Sequence, residues 1–516
     1  MADFETPKFR EYPAVPLIKQ DEMAGGGPFV SRAEFDTDLG YPGELPEDWK
    51  EKTLEKMGDL LGRYRSLQVF MDSCIKCGAC TDKCHYFIGT NDPKNMPVAR
   101  QDLMRKVYRR YFTFAGKYFP KLVGAADLTE DVLDEWYNYY HQCSECRRCS
   151  VFCPMGIDTA EVTMAAREIL AHVGKAQKYS NQIIQKVYKI GNNLGLPGKA
   201  LKGILEDLEE EMEDECGVPV KFNMDEVGCE ALLMTPSADF FAEPHIDGLI
   251  GYGKVLHELG ITWTVSSKAS EAANFGLFIG SYDNIQKVSM RIREAAIELK
   301  VKRIIFGECG HAWRVAYSFL NTLAGPFDFL DQNYPIPQHI LEVTYGALQE
   351  GKLRMNKEEN DHLTMTFHDS CNVARASRMG DKPGGQFDIP RAVIQASCNN
   401  YVDMDADTIK DATFCCGGGG GLLTDDLMEL RVKGALPRME ALKQVTEESG
   451  VTNIAAICAI CKSQFTKTLP YYGFEMDAIM SVHQLVSEAI VMTGSEQEKE
   501  LDGVEEEPED ESKSED

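Results

Sequence analysis

The sequence predicts a multidomain protein: an α-helical domain holding two four-cysteine motifs, followed by two α/β units related as a degenerate repeat. Three observations lead there. Apolar residues recur at three-to-four spacing between residues 59 and 200, as in PVARQDLMRKVYRRYF and DTAEVTMAAREILAHVG. From about residue 228 short apolar runs alternate with helical stretches. Thirteen of the 17 cysteines gather in three groups.

Taken in order, residues 1–58 are rich in Pro, Gly and charge and read as an extended arm. Residues 59–200 form the helical domain. The acidic run Glu206–Glu215 marks residues 201–227 as a linker. The first α/β unit, 228–350, has strand candidates ALLMTPS, ITWTVSS, FGLFIG and KRIIFGE, with the helix NIQKVSMRIREAAIELK before the last. The second, 360–492, offers LTMTFHDSC, NNYVDM, TFCCG and TNIAAICAIC, with helices from about Pro390 and around PRMEALKQVTEESG. Aligning the cycles sets Ala238 opposite Cys371, Phe278 and Ile279 opposite Cys415 and Cys416, Phe306 opposite Cys458, and Cys309 opposite Cys461. Residues 493–516 are an acidic tail that reads as disordered.

With 516 residues, 43% apolar and 26% charged, the chain suits about three ordinary domains of roughly 150 residues each. No run reaches the roughly 18 apolar residues of a membrane span, and the first thirty residues lack a secretory pattern. A cytoplasmic protein is expected, attached to the membrane through a partner. The net charge of −28 excludes nucleic acid as a partner, because phosphates are repelled.

Cytosolic thiols stay reduced, so these cysteines point to metal rather than disulfides. Both early motifs, CIKCGACTDKC and CSECRRCSVFC, have the spacing C-x2-C-x2-C-x3-C. In two-cluster ferredoxins the fourth cysteine of each run ligates the other cluster. That predicts one cubane [4Fe–4S] on Cys74, Cys77, Cys80 and Cys153, and another on Cys143, Cys146, Cys149 and Cys84. Structural zinc prefers two separated pairs and fits this spacing poorly. His85 stands where proline follows the second motif; it reads either as a hydrogen-bond donor to a cluster sulfur or as a partly exposed loop residue. Residues 100–121 carry seven Lys/Arg against one acid, which suits either a docking face for a membrane partner or a solvated, cluster-balancing helix.

The third group is Cys371, Cys415-Cys416-Gly417 and Cys458-x2-Cys461. Five thiolates exceed the four that a cubane takes and suit an opened cluster in which one bridges two irons. Gly417 to Gly421 allow close backbone approach to a bulky core. A phosphate loop is excluded, since Leu422 and Leu423 follow instead of Gly-Lys-Ser/Thr. His368 and His311 are candidate proton donors to a departing thiolate. Cys309 is either an extra thiol beside the cluster or a remnant; Cys216, Cys229 and Cys398 follow no pattern.

The CCG pattern with flanking cysteines resembles the cysteine-rich domain of heterodisulfide reductases. Two ferredoxin motifs followed by two such domains resemble the D-subunit family, and CIKCGACTDKCHYFIGTNDPKNMP with CSECRRCSVFCPMGIDTAEVT is similar to its DsrK-type members. The resemblance spans roughly residues 60–490. It implies a noncubane [4Fe–4S] cluster on Cys371, Cys415, Cys416, Cys458 and Cys461; two-domain members can carry a second, but the first unit here lacks four of the five ligands, so only one is expected, with no flavin or nucleotide. It further implies a DsrMKJOP-type complex, a membrane cytochrome b partner (DsrM-like), and as substrate the disulfide or trisulfide of a DsrC-like carrier. The competing expectations are an iron–sulfur subunit of a membrane-linked 2-hydroxyacid or glycerol-3-phosphate dehydrogenase, and a pure electron relay.

Overall fold

The computed structural model describes residues 12–14, 37–272 and 274–502, so most of the predicted arm and the tail beyond 502 lie outside the described residues. The helical domain starts earlier than the sequence suggests. Its first long helix, α1, is Trp49–Arg63, ten residues into the expected arm, because Met57, Leu60 and Leu61 lie on one face and bury against the domain core. That core adds Met104 from α3 (Pro97–Phe112), Trp136 and Tyr140 from α5 (Glu130–His141), and Ile169 from α6 (Thr159–His172). Between α1 and α3 lies α2 (His85–Thr90), and α4 (Phe114–Tyr118) follows α3. Thr129 and Asp158 cap α5 and α6 by accepting from Val132 N (3.3 Å) and Ala160 N (2.9 Å), contacts worth about 1 kcal/mol each.

The expected linker is also helical. α7 (Gly198–Cys216) buries Leu201, Leu205, Leu208 and Met212 in the core of the first α/β unit. The acidic run that reads as a boundary is the solvated side of this amphipathic helix.

The first sheet holds β1 (Asn223–Met224), β2 (Ala231–Met234), β3 (Trp263–Val265), β4 (Arg303–Phe306) and β5 (Gln338–His339), all parallel, in the order β1-β3-β2-β4-β5. α8 (His245–Glu258) and α9 (Tyr282–Glu298) are its main crossover helices, and α10 (Gly310–Val315) follows β4. The second sheet is β6 (Met365–His368), β7 (Asn453–Ala456) and β8 (Ile479–Met480), again parallel and in that order. Around it stand α11 (Cys371–Ala376), α12 (Gly385–Ser397), α13 (Met428–Ser449), α14 (Ala459–Thr468) and α15 (Val482–Ala489). α8 packs on α15 between the two units, and α13 packs on α2 of the helical domain.

Three strand expectations fail. FGLFIG forms the short helix Phe275–Phe278, NNYVDM keeps a single parallel bridge at Tyr401, and TFCCG is irregular. Short buried apolar runs have no periodicity to tell strand from helix, and Gly417 at φ +96 cannot continue a strand.

The β2–β4 pairing, from Ala231↔Arg303 to Met234↔Phe306, is matched by β6–β7, from Met365↔Asn453 to His368↔Ala456. Cys309 caps α10 at φ −138, ψ 105, and Cys458 caps α14 at φ −139, ψ 120. Position for position, Cys309 therefore matches Cys458 and not Cys461, and Ser237, three residues past β2, matches Cys371, three past β6. The loop after β4 is one residue longer than the loop after β7, which is enough to misalign the sequences.

Candidate functional site

Two thiol-lined hollows occupy the helical domain. Cys74, Cys77, Cys80 and Cys153 line one, with Cys149 also on its wall; Cys84, Cys143, Cys146 and Cys149 line the other. Left-handed residues inside both motifs, Lys76 (φ 57), Glu145 (φ 55) and Arg147 (φ 62), turn the backbone around them. Two cations of the basic segment point inward: Arg105 donates to the Cys74 carbonyl, and buried Arg100 stands beside Cys84 and Cys143. His85 is only 2% exposed, unlike a loop histidine; its ring nitrogens lie 2.7 Å from Gly434 O and 2.7 Å from Ser144 Oγ. Burial opposes its charge, but the neighbouring thiols Cys415 and Cys84 outweigh that and raise its pKa.

The third group converges from three distant segments. β6 delivers Cys371 to the start of α11, β7 delivers Cys458 to the cap of α14, and Cys461 follows within the first turn. Cys415 and Cys416 lie on the irregular segment before the glycines. Cys415 accepts hydrogen bonds from Cys146, Cys371 and Cys416, and Cys458 accepts from Cys309, Cys461 and His311, which hold both thiols well below their ordinary range. Cys416 and Cys461 are themselves in contact. All five are at most 3% exposed. Donor atoms of His368, Cys416 and Cys461 lie within 4.8 Å of one another.

His368 carries two buried ring nitrogens with no hydrogen-bond partner among the described residues, a costly arrangement unless a ligand completes it. Burial pushes its pKa down to about 3, so at neutral pH it offers one N–H and one lone pair rather than a second proton. His311 sits differently, with Nδ1 3.5 Å from Cys458 Sγ and its ring edge-on to Phe278.

Several contacts around the thiols carry no signal in the sequence. Cys146, assigned from spacing to a cubane, meets Cys415, and Cys309 reaches Cys458 from the first α/β unit. Arg167, fully buried on α6, donates to the carbonyls of Tyr140, Cys143, Phe278 and Gly420, tying all three domains together beside the thiols. Behind Cys461, Lys462 lies 3.4 Å from Glu308, which also accepts from His483 Nδ1 at 2.7 Å. Burial opposes the Glu308 charge, but Lys462 and His483 hold its pKa down, at about 2. Cys216 and Cys398 donate to backbone carbonyls, the first to Met212 O and Val218 O, the second to Ile394 O and Asn400 O.

All-thiol donor sets wrapped by turning backbone, the third of them buried from water, fit iron–sulfur clusters. The comparisons point the same way. Residues 70–157 match the model of the 4Fe-4S dicluster domain. The chain is 42% identical over 480 residues to the "Hdr-like menaquinol oxidoreductase iron-sulfur subunit 2" of Archaeoglobus fulgidus, covering 87% of this chain and 85% of that one. The chain belongs to the Hdr-like iron–sulfur oxidoreductase subunits.

It is also 23% identical over 439 residues to the D-subunit of the dihydromethanophenazine:CoB–CoM heterodisulfide reductase of Methanosarcina barkeri, covering 82% and 95% of the two chains. A similarity to the "EtfAB:quinone oxidoreductase" of Syntrophomonas wolfei, 23% identical, covers 76% of this chain and 54% of that one. No solved structure matches. Among the described residues no helix is long and apolar enough to cross a membrane.

Proposed function

We propose that the chain is the sulfur-handling subunit of a membrane-linked complex. Cys74/Cys77/Cys80/Cys153 and Cys143/Cys146/Cys149/Cys84 would hold two cubane clusters that supply electrons one at a time, and Cys371, Cys415, Cys416, Cys458 and Cys461 would hold a noncubane one. That site reduces or forms a disulfide or trisulfide on a DsrC-like thiol carrier, as in DsrK-type subunits. A membrane cytochrome b subunit, exchanging electrons with a quinol pool as the name of the Archaeoglobus relative suggests, completes the path on the cytoplasmic side. The observation that carries this reading is the convergence of five buried thiols from segments up to 90 residues apart, next to an unpartnered His368.

Iron–sulfur clusters held by these cysteines would supply one-electron transfer and the sulfur redox chemistry. The chain's own residues do the rest. The contact between Cys146 and Cys415 shortens the step from the second hollow to the third site. His311 and Cys309 direct hydrogen bonds at Cys458, and His368 supports the Cys416–Cys461 edge. A cavity of about 960 Å³ is lined by Leu422, Leu427 and Leu430, though by none of the five cysteines. These leucines belong to one hydrophobic cluster with Tyr86, whose hydroxyl donates at 2.6 Å to the carbonyl of Gly417, the residue after Cys416.

The tight burial of all five thiols favours a second reading, in which this site only relays electrons. One set of measurements separates the two. Anaerobic iron analysis gives about twelve irons per chain, from three four-iron clusters, and Cys416→Ala lowers it to about eight while both cubanes still accept electrons. Loss of S–S turnover in that variant supports the sulfur-handling reading. A fully loaded parent complex that never turns over a carrier disulfide leaves the relay; twelve irons in Cys416→Ala overturns the third site itself.

A further inference from the structure

The far end of α3 presents a surface that the cluster sites do not use. Pro97 and Gln101 at its start line the first hollow, and its 16 residues run roughly 24 Å outward. There the chain folds back through α4. A Cβ at Gly116 would stand 1.7 Å from Arg109 O, so only glycine lets the two segments close. Thr113 Oγ1 donates to Arg109 O (2.8 Å) and accepts from Gly116 N (3.1 Å), while Arg109 Nη1 reaches Val123 O (2.8 Å). The tip is therefore pinned in shape.

What it displays is apolar. Phe114 is 76% exposed, Tyr118 67%, Phe119 59% and Leu122 85%. Lys117 and Lys121 flank them, both exposed and in no ion pair among the described residues. No acidic residue occurs between Asp102 and Asp127, and Asp127 is already paired with Arg110 at 2.7 Å, in a chain of net charge −28.

We propose that this tip seats directly in the headgroup layer of an anionic lipid bilayer. Protein interfaces favour arginine and deplete lysine, whereas aromatics flanked by lysines, whose stems cover apolar surface while the ammonium stays wet, suit a membrane boundary. The local positive charge of the tip complements anionic headgroups. The contact goes beyond attachment through a membrane subunit: the chain supplies its own lipid anchor and sets the first hollow roughly one α3 length from the bilayer.

Flotation of the intact, cluster-loaded chain alone, with phosphatidylglycerol or phosphatidylcholine vesicles, tests this. The parent floats with phosphatidylglycerol and at least tenfold less with phosphatidylcholine or in high salt. Lys117→Gln with Lys121→Gln costs about 25-fold, roughly fivefold per lysine, and Phe114→Ser/Phe119→Ser/Leu122→Ser abolishes flotation; visible absorption stays at the parent's level in both. No flotation of the parent, or equal flotation of the variants, overturns the proposal. So do variants that float normally but no longer retain the membrane subunit, since the tip is then a protein interface.

Discussion

Arg167→Met tests how the site is held together, because methionine keeps much of the stem volume and removes every donor. The parent side chain places hydrogen bonds on Tyr140 O (2.8 Å), Cys143 O (2.7 Å), Phe278 O (2.9 Å) and Gly420 O (2.8 Å) and lies 3.2 Å from Glu145. Tyr140 O also accepts from Cys143 N, so three carbonyls lose their donor at about 1 kcal/mol each, the low end for a buried unpaired group. Among the described residues Glu145 then keeps one ion-pair partner, Arg314 at 3.9 Å, with Arg147 acting on it from further off, which adds about 1 kcal/mol. The expected loss is about 4 kcal/mol, at the upper end for a single substitution. In anaerobic urea titrations followed by cluster absorbance, a slope of about 3 kcal/mol/M makes this a shift of roughly 1.3 M. Adding Glu145→Gln recovers about 1–2 kcal/mol by removing the stranded charge. An Arg167→Met midpoint within about 0.3 M of the parent refutes the reasoning, since that is under about 1 kcal/mol.

Gly420→Ala puts a Cβ 2.6 Å from Cys143 O at a residue with φ +67, so about 2 kcal/mol of strain and selective loss of iron from the third site are expected by iron analysis. Glu271 is buried, accepts from Ser237 N at 2.8 Å and from Ser237 Oγ, and burial pushes its pKa up to about 7. Because the folded state holds that proton more tightly than the unfolded chain, its contribution is complete below pH 4.5 and is lost as pH rises through about 7. The loss is roughly 3 kcal/mol, and Glu271→Gln flattens this part of the stability–pH profile; an unchanged slope rejects the assignment.

What the sequence by itself determines here is local. Two-two-three cysteine spacing confines the first three thiols of each motif to seven residues, and local backbone geometry wraps those three around one hollow while the fourth crosses to the other. The amphipathic spacing of helices such as α6 is equally legible. Its reach ends where solvent exposure decides the meaning of a run: the acids of α7 read as a linker because nothing in the sequence shows that Leu201, Leu205 and Leu208 bury against a sheet. Tertiary structure alone decides that Cys146 meets Cys415, that Cys309 faces Cys458, and that Arg167 serves carbonyls up to 253 residues away. Those contacts depend on how parallel sheets and helices pack across domains, a relation that one-residue loop differences shift and that no spacing rule encodes.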